Sequence, residues 1–407
     1  MTHIHSVVAL AVVTAFMPLP SMAADPVPPR PDLSVAEVVT AAIDNHPEQS
    51  VYAAEYRHAE AMGERAQSFL DDAPSVGFSH QTDAMGSDTG MREWEGSVEL
   101  PLRLPGLKAA AERQAESATS LAERGDTRWR LQVAGQIRSL LARLAEADAT
   151  VRLAEKAVKT AEELEAQVQR RLELGDVPRT DLILAREETL QRRAEARQAR
   201  LARTRLAEEY RGITGLDARP ADWREKPADR DSLDRHPALL AADASVQVSE
   251  AKRAMVRERG KPQPTVGMNV RREEDGRDSI DSVGVSVSVP LTLGSLRAPE
   301  RSGAERDLAQ ARSQAAVTER RLRIALRQAE KALAAARRER EMALEHRDLA
   351  EESLALAQRA YALGETDLAD LLRVRSRTLA AERLAAMSRI RLARTIAEYN
   401  QAKGIMP

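Results

Sequence analysis

The 407-residue chain contains no cysteine. That excludes disulfides, thiolate metal ligands, a cysteine nucleophile and lipidation on an N-terminal cysteine. Aromatic residues make up only 3% of it, too few for the usual globular core. No charge sign prevails, with 61 basic against 63 acidic residues, so there is no basic excess to hold nucleic acid. Beyond the N-terminal segment no run of 18 apolar residues occurs, and no transmembrane helix is expected. A β-barrel leaves a much weaker trace per strand and is not excluded. The seven histidines (3, 5, 46, 58, 80, 236 and 346) form no pair at metal-ligand spacing outside that first segment. No phosphate-binding loop of the Walker type is present, so the chain does not hydrolyse nucleotide itself. No catalytic constellation, cofactor site or resident metal is expected.

What the chain does have is Ala, Leu, Glu and Arg, with 30% charged residues. That composition belongs to long helices packed side by side. At the start, Val7 to Met17 is apolar except for Thr14, and Ser21-Met22-Ala23 supplies small residues before Ala24-Asp25. Residues 1–23 are expected to be a secretory signal, although Met1 to Ser6 holds His3 and His5 and no Lys or Arg. The apolar stretch is too short to span a bilayer.

The chain is an internal duplication. His46-Pro47 recurs as His236-Pro237, and Pro74, Val76 and Gly77 recur as Pro264, Val266 and Gly267, all at an offset of 190. Pro101-Leu102 recurs as Pro290-Leu291, at 189. Leu174-Gly175, Asp181-Leu182, Arg186 and Thr189-Leu190 recur as Leu363-Gly364, Asp370-Leu371, Arg375 and Thr378-Leu379, also at 189. The Pro and Gly landmarks lie where helices break, so composition alone does not produce them.

Each half is expected to run helix, two strands, very long helix, sharp turn, shorter helix, which makes the fold mainly α with a small β part. The first repeat covers 24–211, with a helix from Leu33 to about Asp71, strands near 74–82 and 92–102, and helices 107–174 and 178–211. A connector poor in regular structure spans 212–235. The second repeat covers 236–407, with a helix from Arg235 to about Gly260, strands near 264–272 and 280–292, and helices 300–363 and 367–403. The strand evidence is a period of two: Val283, Val285, Val287, Val289 and Leu291 alternate with Gly284, Ser286 and Ser288. Trp94, Val98 and Leu100 alternate likewise with Glu95, Ser97 and Glu99. The long helices would each be roughly 100 Å long.

Four short strands cannot close a barrel, and only a closed barrel satisfies its backbone in lipid. Two such hairpins in an exported chain can therefore cross a membrane only by sharing one barrel among copies. The Val/Leu row would then face lipid, and the Ser, Gly and Glu row a water-filled lumen. The competing reading is a pair of solvated hairpins capping a pore-free periplasmic coiled-coil scaffold.

The duplicated plan, the signal segment and two turns resemble the TolC family of outer-membrane efflux proteins over essentially the whole mature chain. The turns are Leu172-Glu-Leu-Gly175-Asp-Val-Pro-Arg-Thr-Asp181-Leu182 and Tyr361-Ala-Leu-Gly364-Glu-Thr-Asp367-Leu-Ala-Asp370-Leu371. The resemblance implies a homotrimer, a twelve-stranded barrel in outer-membrane lipid, and a tunnel of twelve helices in the periplasm. It also implies an exit duct that serves an inner-membrane pump through a periplasmic adaptor (membrane fusion) protein and performs no chemistry.

Gly175 and Gly364 fall where a helix C-cap needs a left-handed residue, and Pro178 and Thr366 would start the helices that follow. By resemblance, Gly175, Asp176, Gly364 and Glu365 form the tips where the adaptor docks. Asp370 matches a family aspartate that rings the closed entrance, and Asp181 and Tyr361 match positions whose contacts hold it shut. Read without the resemblance, both aspartates are simply acids near helix N-termini. A second family aspartate one turn on is here Arg373, which can pair with Asp370, while Asp367 one turn earlier can compensate. The turn Gly175-Asp176-Val-Pro-Arg179-Thr-Asp181-Leu182 is most similar to CzcC-type heavy-metal channels working with RND-type pumps. Drug efflux and type I secretion remain open.

Overall fold

The computed structural model describes residues 27–87, 89–229, 233–291 and 294–407. The expected signal segment lies outside them. In chain order the elements are β1 (Pro29–Arg30), α1 (Val35–Asp44), α2 (Gln49–Gln67), β2 (Ser75–Thr82), β3 (Met91–Pro101), α3 (Pro105–Glu173), α4 (Arg179–Thr214), β4 (Arg219–Pro220), α5 (Pro237–Arg259), β5 (Thr265–Asp275), β6 (Ser279–Ser288), α6 (Ala298–Leu363) and α7 (Leu368–Ala402).

Strands β2, β3, β5 and β6 form one antiparallel sheet in the order β2-β3-β5-β6. The central β3–β5 ladder joins the two repeats. The register aligns Val76, Val98, Met268 and Val285 in one row, and Phe78, Gly96, Val270 and Val283 in the next. These apolar side chains are bare, with Val76 81% and Val283 73% exposed. The opposite face carries Glu93, Glu95, Glu99, Asn269 and Arg271. There Arg271 donates to Glu93 at 2.7 Å and Asn269 to Glu95 at 3.2 Å. The sheet has a greasy outer face, a polar inner face and two open edges, β2 and β6.

Each strand continues into a helix. Below the sheet the helices lie side by side as α2, α3, α5, α6, and farther down as α4, α3, α7, α6. Helix α3 is 69 residues long and α6 is 66, about 100 Å each. Alanine lines the seams, as Ala110, Ala115, Ala134 and Ala142 show, and lets the helices approach closely. At Gly135 an added Cβ would stand 2.9 Å from the Gln401 amide and would push it from the Leu131 carbonyl, which it reaches at 2.8 Å.

The main core sits midway along the helices, where Trp129, Ile137, Leu140, Leu141, Tyr210 and Trp223 bury against α1 and α7. Two of the three tryptophans, Trp129 and Trp223, lie here; Tyr52 stacks on Trp129 at 4.7 Å and His46 meets it edge-on at 5.5 Å. A polar clasp crosses this level. Arg138, 4% exposed, holds both oxygens of Glu225 at 2.6 and 2.8 Å and Gln401 at 2.6 Å. Asn400 donates to Glu225 at 2.7 Å.

Three expectations are corrected. The first helix is not continuous from Leu33 to Asp71; it breaks after Asp44 and restarts at Gln49. Pro47 has no N–H for a helix interior, and the His46 ring instead accepts from Glu48 N–H at 3.2 Å. Its duplicate, His236, makes the same cap on α5, accepting from Ala238 N–H at 3.1 Å. That helix begins at Pro237 rather than Arg235. The connector is not irregular throughout: β4 pairs in parallel with β1, and Arg219 is ion-paired to Asp148.

Candidate functional site

The two turns at the end of the helices farthest from the sheet share one construction. Gly175 and Gly364 have φ of 82° and 77°, so both take the left-handed conformation. Gly175 N–H donates to Leu172 O at 3.0 Å and Asp176 N–H to Arg171 O at 2.9 Å. Gly364 and Glu365 repeat the pattern onto Tyr361 O at 3.2 Å and Ala360 O at 2.9 Å. These are Schellman closures, which satisfy the last helix carbonyls. The side chains of Asp176 and Glu365 point into solvent.

Helix α4 starts after Pro178, as expected. Helix α7 is capped by Asp367 and not by Thr366. The Asp367 carboxylate accepts from Asp370 N–H at 2.7 Å, a stronger acceptor than a neutral hydroxyl. Asp367 is thereby spent on its own helix. Arg373 donates to Asp370 at 2.5 Å, with both side chains more than half exposed.

A small core ties the turns together, built from Leu164, Val168, Leu182, Ala185, Tyr361, Leu368 and Leu371. Tyr361 is 9% exposed, and its hydroxyl has no hydrogen-bond partner within the described chain. Burial pushes its pKa up, Arg171 opposes that, and Asp181 is near enough to raise it further. The Arg171 guanidinium lies 5.0 Å from the Tyr361 ring centroid. The structure thus gathers Asp181, Tyr361 and Arg171 in one group and Asp367, Asp370 and Arg373 in another.

Sequence reasoning missed Arg171, whose partner stands 190 positions away. It also gave Arg375 no role beyond repeating Arg186. Arg186 is an exposed side chain 3.5 Å from Glu165, whereas Arg375 donates to Thr160 O at 2.6 Å and burial lowers its pKa. Between the ends of α3 and α6 and the start of α7 runs a groove of about 840 Å³, lined by Glu163, Arg170, Arg171, Asp176, Tyr361 and Arg375. Among the described residues no group of three or more His, Asp or Glu stands close enough to hold a metal ion. No described helix is long and apolar enough to cross a membrane.

A bare apolar sheet continued by a wall of long helices, with tight turns at the far end, is the architecture of the TolC-type channel fold. Residues 230–401, essentially the second repeat, match the family model described as outer membrane efflux protein. The likeness in fold runs over more than nine-tenths of the chain. The fold is similar to the Vibrio cholerae outer-membrane protein VceC (TM-score 0.74, 16% identity, 91% of this chain and 96% of that one). It is also similar to the Campylobacter jejuni channel CmeC (TM-score 0.72, 16% identity, 91% and 85%) and to CusC (TM-score 0.76, 11% identity, 97% and 99%). A search of curated proteins by sequence found no match.

Proposed function

We propose that three copies close one twelve-stranded barrel, and that the resulting tube is the exit duct of a tripartite efflux system for heavy-metal cations. An RND-type pump and a periplasmic adaptor would complete the system. The observation that carries the assembly is the pair of unfinished edges. Strands β2 and β6 lack outer partners. Along α6 a bare stripe recurs every seven residues: Met342, Leu349, Leu356 and Leu363, 59–75% exposed. On the other edge, α4 offers Ile183, Leu190 and Leu201, 53–65% exposed. A seven-residue apolar repeat is the seam of a two-helix coiled coil, so α6 of one copy meets α4 of the next.

The substrate reading rests on the turn at Gly175 to Leu182. The inner face of the sheet, with Glu93, Glu95, Glu99 and Glu273 against Arg271, is consistent with cation passage. In this assembly Asp370, Asp181 and Tyr361 line the entrance, and Gly175, Asp176, Gly364 and Glu365 present the adaptor-docking tips. The test is the susceptibility of a deletion strain to zinc, cobalt and cadmium beside dyes, detergents and antibiotics. Sensitisation to the metals alone is expected. Sensitisation to the organic compounds alone overturns the metal assignment and keeps the duct.

A further inference from the structure

The repeats have diverged where the helices meet the sheet. Residues 252–261 and 297–307, at the top of α5 and α6, hold eight basic and four acidic residues. The equivalent stretches of the first repeat, 62–71 and 108–118, hold three basic and four acidic. The excess lines a groove of about 490 Å³ between α5 and α6, formed by Arg253, Arg257, Arg301, Ala304 and Glu305. Arg253 is 3.5 Å from Glu305, and Arg257 is 3.8 Å from Glu258 while 74% exposed. Arg301 has no side-chain ion pair among the described residues.

This groove opens to the outside of the tube. Leu102 N–H donates to Pro264 O, so the even residues of β5 turn their amides toward β3. Those same residues, Val266, Met268 and Val270, carry the apolar outer face. For L-residues this sets β3 to the right of β5 and β6 to its left, seen from outside with the hairpin turns upward. Helix α5 climbs into β5. Its Met255 packs with Ala111 and Ala115 of α3, and its Glu250 and Arg253 pair with Arg312 and Glu305 of α6. A right-handed helix held between those neighbours turns Ala254 and Arg257 outward and Lys252 and Arg259 inward. Just above the groove stand Leu291 and Leu296, 93% and 73% exposed, continuing the greasy face downward.

We infer that the α5–α6 groove binds the headgroup phosphate of an anionic phospholipid from the periplasmic leaflet of the outer membrane, once per copy. Guanidinium groups match phosphate oxygens in pairs. An acyl chain would lie along Leu296 and Leu291, and a second-repeat groove without counterpart in the first gives three sites per trimer. Basic pockets at the membrane edge take lipid headgroups in this way. The inference rests on the sheet's Val face lying in lipid.

The test uses the full-length oligomer in detergent, with phosphatidylglycerol, phosphatidylcholine and inorganic phosphate titrated separately and binding read by native mass spectrometry. Phosphatidylglycerol should bind at least about tenfold tighter than the other two. The R257Q/R301Q variant should lose about tenfold or more, R257K/R301K, which keeps the charge but not the paired donors, should lose less, about three- to tenfold, and R65Q/K108Q in the first repeat should bind as the parent does. Equal binding by R257Q/R301Q, equal loss in R65Q/K108Q, or equal affinity for phosphatidylcholine or free phosphate would overturn the site. Reconstitution into vesicles is scored separately. Failure to insert would sink the sheet-in-lipid reading and the headgroup site with it.

Discussion

Arg373 donates to the carboxylate of Asp370 across one turn of α7, at 2.5 Å. The pair places a positive and a negative charge together at the position where the entrance reading needs a bare carboxylate. Replacing Arg373 with Ala should release that charge. In a planar bilayer under a salt gradient, the cation-to-anion permeability ratio is expected to rise by up to about fivefold, since an exposed pair is worth at most about 1 kcal/mol. An unchanged reversal potential would place the selectivity elsewhere in the tube.

Tyr361 offers a cleaner probe of gating than truncation does. Its ring fills the small core between the turns, so Ala there would cost about 3–5 kcal/mol through the cavity alone. Phe keeps the ring and removes a hydroxyl that has no partner within the described chain, at a cost of about 1 kcal/mol or less. Combined with Asp181→Ala, Tyr361→Phe should raise single-channel conductance. If the conductance stays at the parent value, neither group holds the entrance shut.

The clasp at Arg138 should dominate stability near the middle of the tube. Arg138→Ala strands Glu225, whose side chain is 13% exposed, and should cost about 3–5 kcal/mol. Arg138→Met with Glu225→Leu removes both charges and should recover most of it. Thermal melting of the detergent-solubilised protein, followed by circular dichroism, compares the two. A double variant as unstable as the single one would deny the ion pair its role.

The turn between β2 and β3 is organised by Asp83. Its carboxylate accepts from Thr89 N–H at 2.7 Å, from the Thr89 hydroxyl at 2.6 Å and from Met91 N–H at 3.0 Å. Hydrogen bonds from Thr89 hold its pKa down at about 2. A depressed acid contributes fully above its unfolded value and loses that contribution as pH falls through the folded one. Amide protection of Thr89 and Met91 should therefore persist at pH 4 and fade toward pH 2. In Asp83→Asn it should show no such step; a matching step in the variant would assign the transition to another group.

Gly175 and Gly364 have open space around them, so Ala at either site meets backbone strain and no clash. Each substitution should cost about 1–2 kcal/mol, with Asn tolerated better. Chemical denaturation measures this, and a neutral Gly364→Ala would mean that the turn relaxes.

Much of this architecture is written in short-range pattern. The alternation from Val283 to Leu291 marks a strand with one greasy face, and the proline-free stretches flanked by glycine mark the long helices. The spacing of three between Asp370 and Arg373 places them on one helix face before any coordinates are seen. Pro47 signalled a helix boundary near Asp44, while the contact that shapes the break, the His46 ring on Glu48 N–H, is a matter of local geometry. The β1–β4 pair is two residues long on each side, too short for any pattern. Arg171 over Tyr361 and Arg271 on Glu93 are tertiary pairs about 180 positions apart or more, and spacing rules carry no information at that range.

The β3–β5 ladder has a consequence for how the protein comes into being. Its closest partners in sequence, Pro101 and Thr265, are 164 residues apart. Contacts that distant form late, so the first hairpin must wait, edge open, through all of α3, α4 and α5 until β5 at Thr265–Asp275 has been made. During that interval β3 is paired only to β2 and keeps one bare edge, open to wrong partners.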